Sequence, residues 1–489
     1  MSSTLCVVLN GSHAADIEFR GRRVSLGYRR EYVEQSSVPL SARFPLGRRV
    51  AKGAEVQRWL RNLLPDDDNV LDYLRSEYGV AARDPLKLLE TSMGADCAGA
   101  VQFSRPERLD ELLAAEGSAT PVTRGDIAEW LDAYPVLPPA IDPSGTEFPV
   151  TFSLAGMQPK IALRLAEDGT WTRTWGSLPT THIIKAARPN YPDECVFEHL
   201  SMDTASRLGI PSARTEAADI DGKQAIIVER FDRSNDGMKR IHQEDSCQAL
   251  GRSQSDKYES LGGPGVADLR QIAQSSGAVT FHNVDRLRDM LIYRWLIVDS
   301  DAHAKNYSWM FDDAGNVHLA PLYDTCSWLP YRRGMKPEDI PLAMNMGADP
   351  RVGASDTPAG LSGLAGKLRR PTSEICERAA ELAAALPAAL KEAAEALPAM
   401  LLDWGAVEEH IAEIDIRAGD CERVAADTLE SVSPRKQRGT MLEDAMGGAP
   451  GDSSVAVRRP NLQRCPHFGK ISRKQCVRSP HGDSRHRYS

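Results

Sequence analysis

Residues 301–324 read Asp301-Ala302-His303-Ala304-Lys305-Asn306, then YSWMF (307–311), DDAGN (312–316) and VHLAPLYD (317–324). The last three pieces have the pattern of strand, turn and strand, which delivers Asp324 at the end of a hairpin. Just before them, apolar residues recur at helical spacing (Val284, Leu287, Leu291, Trp295, Val298) and stop at the Asp/Ser cluster near 299. Working outward, the upstream chain is strand-rich: FSLAG (152–156), KIALRL (160–165), TTHIIK (180–185) and KQAIIVERFD (223–232). One helix-length segment, Glu194 to Leu208, interrupts it. From Pro371 to Asp427 the chain is rich in Ala and Leu and reads as packed helices. Strands first and helices later predict an α+β body of two lobes.

At 489 residues the chain is too long for one ordinary core, so two or three domains are expected. Residues 1–105 begin with strand-like pieces, Leu5 to Asn10, Ile17 to Phe19 and Val24 to Tyr28. Helical segments follow around Ala54 to Leu64 and Val70 to Tyr78, so this part is a small α/β unit. Residues 106–149 read as a connecting segment that ends in a linker, PVLPPAIDPSGTEFP (135–149), whose prolines disfavour both helix and central strand. Residues 150–430 form the main body and 431–489 a tail.

Hydrophobic residues make up 42% of the chain and charged ones 26%, as in a soluble globular enzyme. No apolar run is long enough to span a membrane, and the N-terminus lacks the basic and apolar pattern of a secretory signal. A cytoplasmic location follows. Nine cysteines, irregularly spaced and without a C-x-x-C pair, fit reduced thiols better than disulfides or a structural zinc. The net charge of -9 argues against the whole chain binding nucleic acid by charge. The tail from Ser433 differs: its twelve Lys/Arg against four Asp/Glu give it +8. Its composition reads as disordered. Cys465, Cys476, His467, His481 and His486 lie there without the flanking apolar pattern that a metal site needs.

Phosphoryl transfer requires a phosphate cradle, a cation on the phosphates, oxygen ligands for magnesium and a base near the acceptor hydroxyl. Asp301 and Asn306 have the Asp-x4-Asn spacing of a kinase catalytic loop, and Asp324 would supply a second magnesium ligand. The spacing alone carries little. Asp301 as a helix cap and Asp324 as a turn residue are the structural alternatives. Lys185 closes an apolar strand, where a lysine can grip phosphates, and Glu198 on the next helical segment could pair with it. Ser153 to Lys160 would form the cradle, with a plain turn as the other reading. Gly360 to Lys367 is not a Walker A loop: it is one residue too long, and Leu368 stands where Ser or Thr is required. The strand Ala225 to Val228, continued by Glu229, Arg230 and Phe231, lies where a hinge between lobes would run.

Together these residues resemble the HipA family, the kinase component of type II toxin–antitoxin modules. SLAGMQPKIAL, VFEHLSMDTASRLGIPSA, IIVERFDR, HQEDSCQALG, DKYESLGGPGV, SDAHAKNYS and LAPLYD occur in the family's order. LNG, PLSARFPL, WLRNLLPDD and DPLKLLETSMGADCAGAVQF are similar to its N-terminal domain. The resemblance covers residues 1 to about 430 and implies a two-lobed, kinase-like fold with a helical C-terminal lobe. It implies a serine/threonine protein kinase (EC 2.7.11.1) that uses ATP and Mg2+. By position, Asp301 would be the catalytic base, and Asn306 and Asp324 the metal ligands. Ala155, Gly156, Met157, Gln158, Pro159 and Lys160 would cover the phosphates, with Lys185 gripping them and Glu198 paired to it. Glu229, Arg230, Phe231, His303, Ala304, Lys305 and Tyr323 would line the nucleotide, and Ser153 would be the autophosphorylation candidate.

The implied partners are a HipB-like helix-turn-helix antitoxin, operator DNA reached through it, and a protein substrate. Glutamyl-tRNA synthetase is the substrate of the best-known members. A kinase-fold corepressor without catalysis, and a kinase for a small molecule, are the competing readings. Met157 and Pro159 depart from the smaller or acidic residues expected in the loop.

Overall fold

The computed structural model describes residues 2–133 except 22, 49 and 82–84; residues 140–141 and 147–148; residues 160–347 except 189, 276–279 and 333; and residues 358–432 except 402 and 403. Residues 1–433 form one compact unit. The basic tail and Ser153 to Pro159 lie outside the described residues.

The chain opens with a five-stranded antiparallel sheet, in the order Val50–Lys52, Arg23–Tyr28, Ser12–Arg20, Ser2–Leu9 and Val101–Ser104. Alternating side chains (Leu5, Val7 and Leu9 on one strand, Ile17 on the next) turn one face into a core closed by the helices Ala54–Arg61 and Asp68–Glu77. Trp59 anchors that packing, edge-on to both Phe44 and Phe103. The second helix starts where Asp67 accepts from the backbone N–H groups of Asn69 and Val70.

A six-stranded antiparallel sheet follows, in the order Thr215–Ile220, Lys223–Glu229, His182–Ala186, Lys160–Leu165, Trp171–Gly176 and Gly117–Pro121. Its last strand comes from the segment expected to be a mere connection. The strand and the helix Arg124–Ala133 make part of residues 106–149 structural. The helix Glu194–Arg207 is buried on several sides, because it lies between this sheet and the long helix Thr372–Glu395.

The larger lobe holds the helices Val266–Gln274, Thr280–Leu296, Pro358–Leu368, Thr372–Glu395 and Trp404–Val432, with a small sheet in the order Gln243–Asp245, Ser308–Phe311 and Val317–Leu319. The helix predicted from Val284 onward buries Val284, Leu287, Leu291 and Trp295, but ends at Leu296. Val298 lies beyond it with φ 55°, an uncommon conformation for a β-branched residue, and is fully buried. The predicted hairpin forms, and buried Asn283 clamps it to the helix: its amide donates to Val317 O and its oxygen accepts from Leu319 N–H. Among the described residues seven cysteines are free, and no helix is long and apolar enough to cross a membrane.

Candidate active site

A cleft of about 630 Å³ is lined by residues from all three parts, among them Asp66, Lys185, Phe231, Asp301, Asn306 and Asp324. The strand His182–Ala186 pairs with Lys160–Leu165 so that Lys185 and Lys160 stand directly opposite each other. Both are buried, and they bring two cations to the cleft. Burial, and then the charge of Lys185, push Lys160 down to about 8.

Lys185 Nζ lies 2.7 Å from Glu198 Oε1 and 2.5 Å from Asp324 Oδ1, so it joins the small-lobe helix to the hairpin end. Burial works against its charge, but Asp324 and Glu198 outweigh it and hold the ammonium protonated. Burial also opposes ionisation of Asp324, and Lys185 and Lys160 overcome it, so this carboxyl sits well below the usual range. For Glu198 burial wins and raises the pKa. Asp324 keeps a 43% exposed side chain at the cleft mouth, with φ 52°, a left-handed conformation that short polar side chains tolerate.

Asn306 is buried, and its amide donates to Asp301 O at 2.9 Å and to Asp324 O at 3.4 Å. The catalytic-loop candidates and the hairpin end are therefore tied by one side chain, whose carboxamide oxygen accepts no bond among the described residues. Asp301 is exposed, and its carboxylate accepts a 2.6 Å bond from the Tyr258 hydroxyl. His303 is buried edge-on to the Tyr258 ring, and burial lowers its pKa. Ala304 is fully buried, and its N–H donates to Lys257 O. The Lys305 ammonium turns to Asp245 at 2.8 Å and to Asn62, so its charge is already matched. Tyr323 packs against Phe231 with ring centroids 5.3 Å apart and donates to Lys305 O.

At the expected hinge, Glu229 and Phe231 line the cleft. Arg230 lines it too, but its guanidinium is spent in a buried cluster with Asp232, Asp96, Thr180 and the carbonyl of Cys97. Only the rest of that residue is left to meet a ligand.

Three groups escaped the sequence reading. Arg294, buried on the helix Thr280–Leu296, donates to Asp299 at 2.9 Å, to Asn306 O and to Tyr323 O, and so fixes both site loops. Asp299, pushed up to about 7 by burial, accepts from the N–H of Asp301. Tyr258 comes from a loop more than forty residues upstream. An arginine amid the apolar run of that helix was a usable signal, while nothing in the order of residues points Tyr258 at Asp301.

A HipA N-terminal domain profile matches residues 5–104, and a HipA-like C-terminal domain profile matches residues 152–395. The chain is 33% identical over 304 residues to the putative kinase Y4mE of Sinorhizobium fredii, covering 61% of this chain and 70% of that protein. It is 32% identical over 308 residues to the serine/threonine-protein kinase toxin HipA of Shewanella oneidensis, covering 60% and 68%. Its structure matches a chain of the Shewanella oneidensis complex of HipA, HipB and operator DNA with a TM-score of 0.72 and 25% identity, over 86% of this chain and 99% of that one. Two domain profiles in the right order, kinase relatives matched over two thirds of their length and a shared fold mean that this chain belongs to the HipA family of kinases.

Proposed function

We propose that this chain is an ATP- and magnesium-dependent serine/threonine protein kinase, the toxin of a type II toxin–antitoxin pair. The observation that carries the reading is the single bridge of Lys185 to Glu198 and Asp324, with Asn306 tying Asp324 to Asp301 in the same cleft. The nucleotide would lie with its base beside Glu229, Phe231 and Tyr323 and its phosphates towards Lys160 and Lys185. Glu198 keeps Lys185 in place. Asn306 and Asp324 offer the hard oxygen donors that suit Mg2+, which when bound neutralises phosphate charge. Asp301 takes the proton of the acceptor hydroxyl as its oxygen bonds to the γ-phosphorus. The bond from that phosphorus to the β,γ-bridging oxygen breaks, and ADP leaves.

The domain plan accompanies this reading: residues 1–105 as the HipA N-terminal domain, 150–430 as the kinase and 431–489 as an appended basic tail. Ser153, in the phosphate loop of Ala155 to Lys160, is the autophosphorylation candidate, since phosphate there would repel the nucleotide's own charge. The relative that co-crystallised with HipB and operator DNA supports a HipB-like helix-turn-helix antitoxin as partner, with operator DNA reached through it. The acceptor is a translation-related protein, glutamyl-tRNA synthetase being the first to test, and the setting is the cytoplasm.

The test is transfer of γ-labelled phosphate from Mg-ATP by the full chain, alone and with glutamyl-tRNA synthetase, beside Asp301→Asn. Label on a Ser or Thr with wild type and a loss on the order of 10²–10⁴-fold in the variant are expected. A wild-type chain that binds an antitoxin and DNA but transfers no phosphate would instead establish a non-catalytic corepressor.

A further inference from the structure

The base assigned above is an exposed carboxylate on a loop, and such a side chain would sample several rotamers if nothing held it. General-base catalysis needs it held, because a displacement of about 1 Å can lower a rate on the order of 10²-fold. Among the described residues, the side chain that holds the Asp301 carboxylate is Tyr258, whose hydroxyl donates to Oδ1 at 2.6 Å. Burial first, and then the Asp301 charge, push the Tyr258 phenol up, so the hydroxyl stays a donor.

Tyr258 is itself firmly seated. Its ring meets the His303 ring edge-on, with centroids 5.0 Å apart, and its carbonyl accepts from the N–H groups of Leu261 and Gly263. A side chain at Gly263 would run into the carbonyls of Asp256 and Tyr258, so this turn requires glycine. On one side, the neighbouring Lys257 takes the Ala304 N–H on its carbonyl and pairs with Asp66 at 3.2 Å. On the other, Glu259 accepts from the Asn345 N–H at 2.7 Å. The loop is thus braced to the N-terminal domain, the catalytic loop and the helical lobe at once. A swinging plug would not be built this way.

We infer that Tyr258 is a positioning residue that holds Oδ1 of Asp301 and so leaves the second carboxylate oxygen to the acceptor hydroxyl. The inference rests on the kinase reading of the cleft. It also assigns a task to the N-terminal domain, because Asp66 steadies the loop from which Tyr258 reaches.

Tyr258→Phe deletes one hydroxyl and keeps the ring against His303. The experiment measures Mg-ATP turnover and self-labelling by the full chain for wild type, Tyr258→Phe, Asp301→Asn and the double variant, with melting temperatures for all four. Tyr258→Phe should lower kcat about 10- to 100-fold while KM for ATP stays within about twofold and the melting temperature is kept. In the Asp301→Asn background, removing the hydroxyl should change nothing further. Wild-type kcat in Tyr258→Phe beside an inactive Asp301→Asn overturns this inference alone. So does a raised kcat, which would make the hydroxyl a blocker of the acceptor's seat, or independent losses that multiply in the double variant. An inactive wild type, or full turnover by Asp301→Asn, overturns the kinase reading together with the inference.

Discussion

Lys185 shows how much one side chain can be asked to do. Its stem ends a buried strand, and its ammonium meets a helix carboxylate and a hairpin carboxylate that lie far apart along the chain. A buried charge survives only when it is matched, and here two acids match it. On the proposed reading, a cation fixed in that way is already oriented when a polyphosphate arrives, so little reorganisation is left for the reaction. Lys185→Met should therefore lower phosphoryl transfer on the order of 10²–10³-fold, read as label incorporation at saturating ATP. A variant that retained a tenth or more of wild-type transfer would remove Lys185 from the phosphate site. At this scale the sequence was informative where a local pattern marks a residue that the fold then brings to the cleft. Lys185 closes an apolar strand, Asp301 and Asn306 have loop spacing, and Asp324 ends a hairpin. Their partners Tyr258 and Arg294 meet them only through the fold.

Among the elements, the helix Thr280–Leu296 organises the site. Its apolar stripe was readable, and so was its direction towards the Asp/Ser cluster. The tightness of its end was not: the helix stops before Val298, which turns into the left-handed region while buried. Arg294, in the last turn, then reaches the carbonyls of Asn306 and Tyr323, one from each site loop, and pairs with Asp299. It also lies 4.9 Å from the Tyr307 ring centre. Replacing it with Met would take the cation from Asp299, which burial already holds at about 7 and which would then take up a proton, and would leave two loop carbonyls without their donor, so a loss of about 1–3 kcal/mol in unfolding free energy is expected. Denaturant melts of Arg294→Met and Arg294→Lys measure it. A melt unchanged in Arg294→Met would mean that the loops hold themselves. Gly117–Pro121, which completes the six-stranded sheet, is short and polar, and its burial pattern comes from neighbours no local reading supplies.

On the scale of the whole molecule, the N-terminal domain is welded to the kinase body. The weld is polar. Asp96 meets Arg230, Arg233 and Arg240 from the hinge region, and Arg58 and Arg61 reach across to Gly251 O and Gln254. Glu244 accepts from the Ala42 N–H at 2.7 Å with no cation opposite it among the described residues, and burial pushes its carboxyl up to about 8 from 4.5. The folded chain thus keeps a proton that the unfolded chain releases above about pH 4.5. Stability from this group is complete below that pH and is lost as pH rises through about 8. Glu244→Gln should accordingly melt at a higher temperature than wild type at pH 8–9 and match it near pH 5, by thermal denaturation across that range. The difference between the two proteins isolates Glu244 from His242 and His410, which burial pushes down to about 4 and which cost stability in acid instead. Equal pH dependence in both would show Glu244 ionised at neutral pH.

The sequence by itself determined the family and singled out acids, an amide and a lysine that line one cleft, because spacing and hydrophobic period are local and survive without coordinates. Tertiary structure alone decided which charges answer one another. It turned Arg230 away into the Asp96 cluster, matched Lys305 to Asp245 and brought Tyr258 to Asp301. Such pairings depend on burial, which makes an unmatched charge costly, and burial is a property of neighbours distant along the chain.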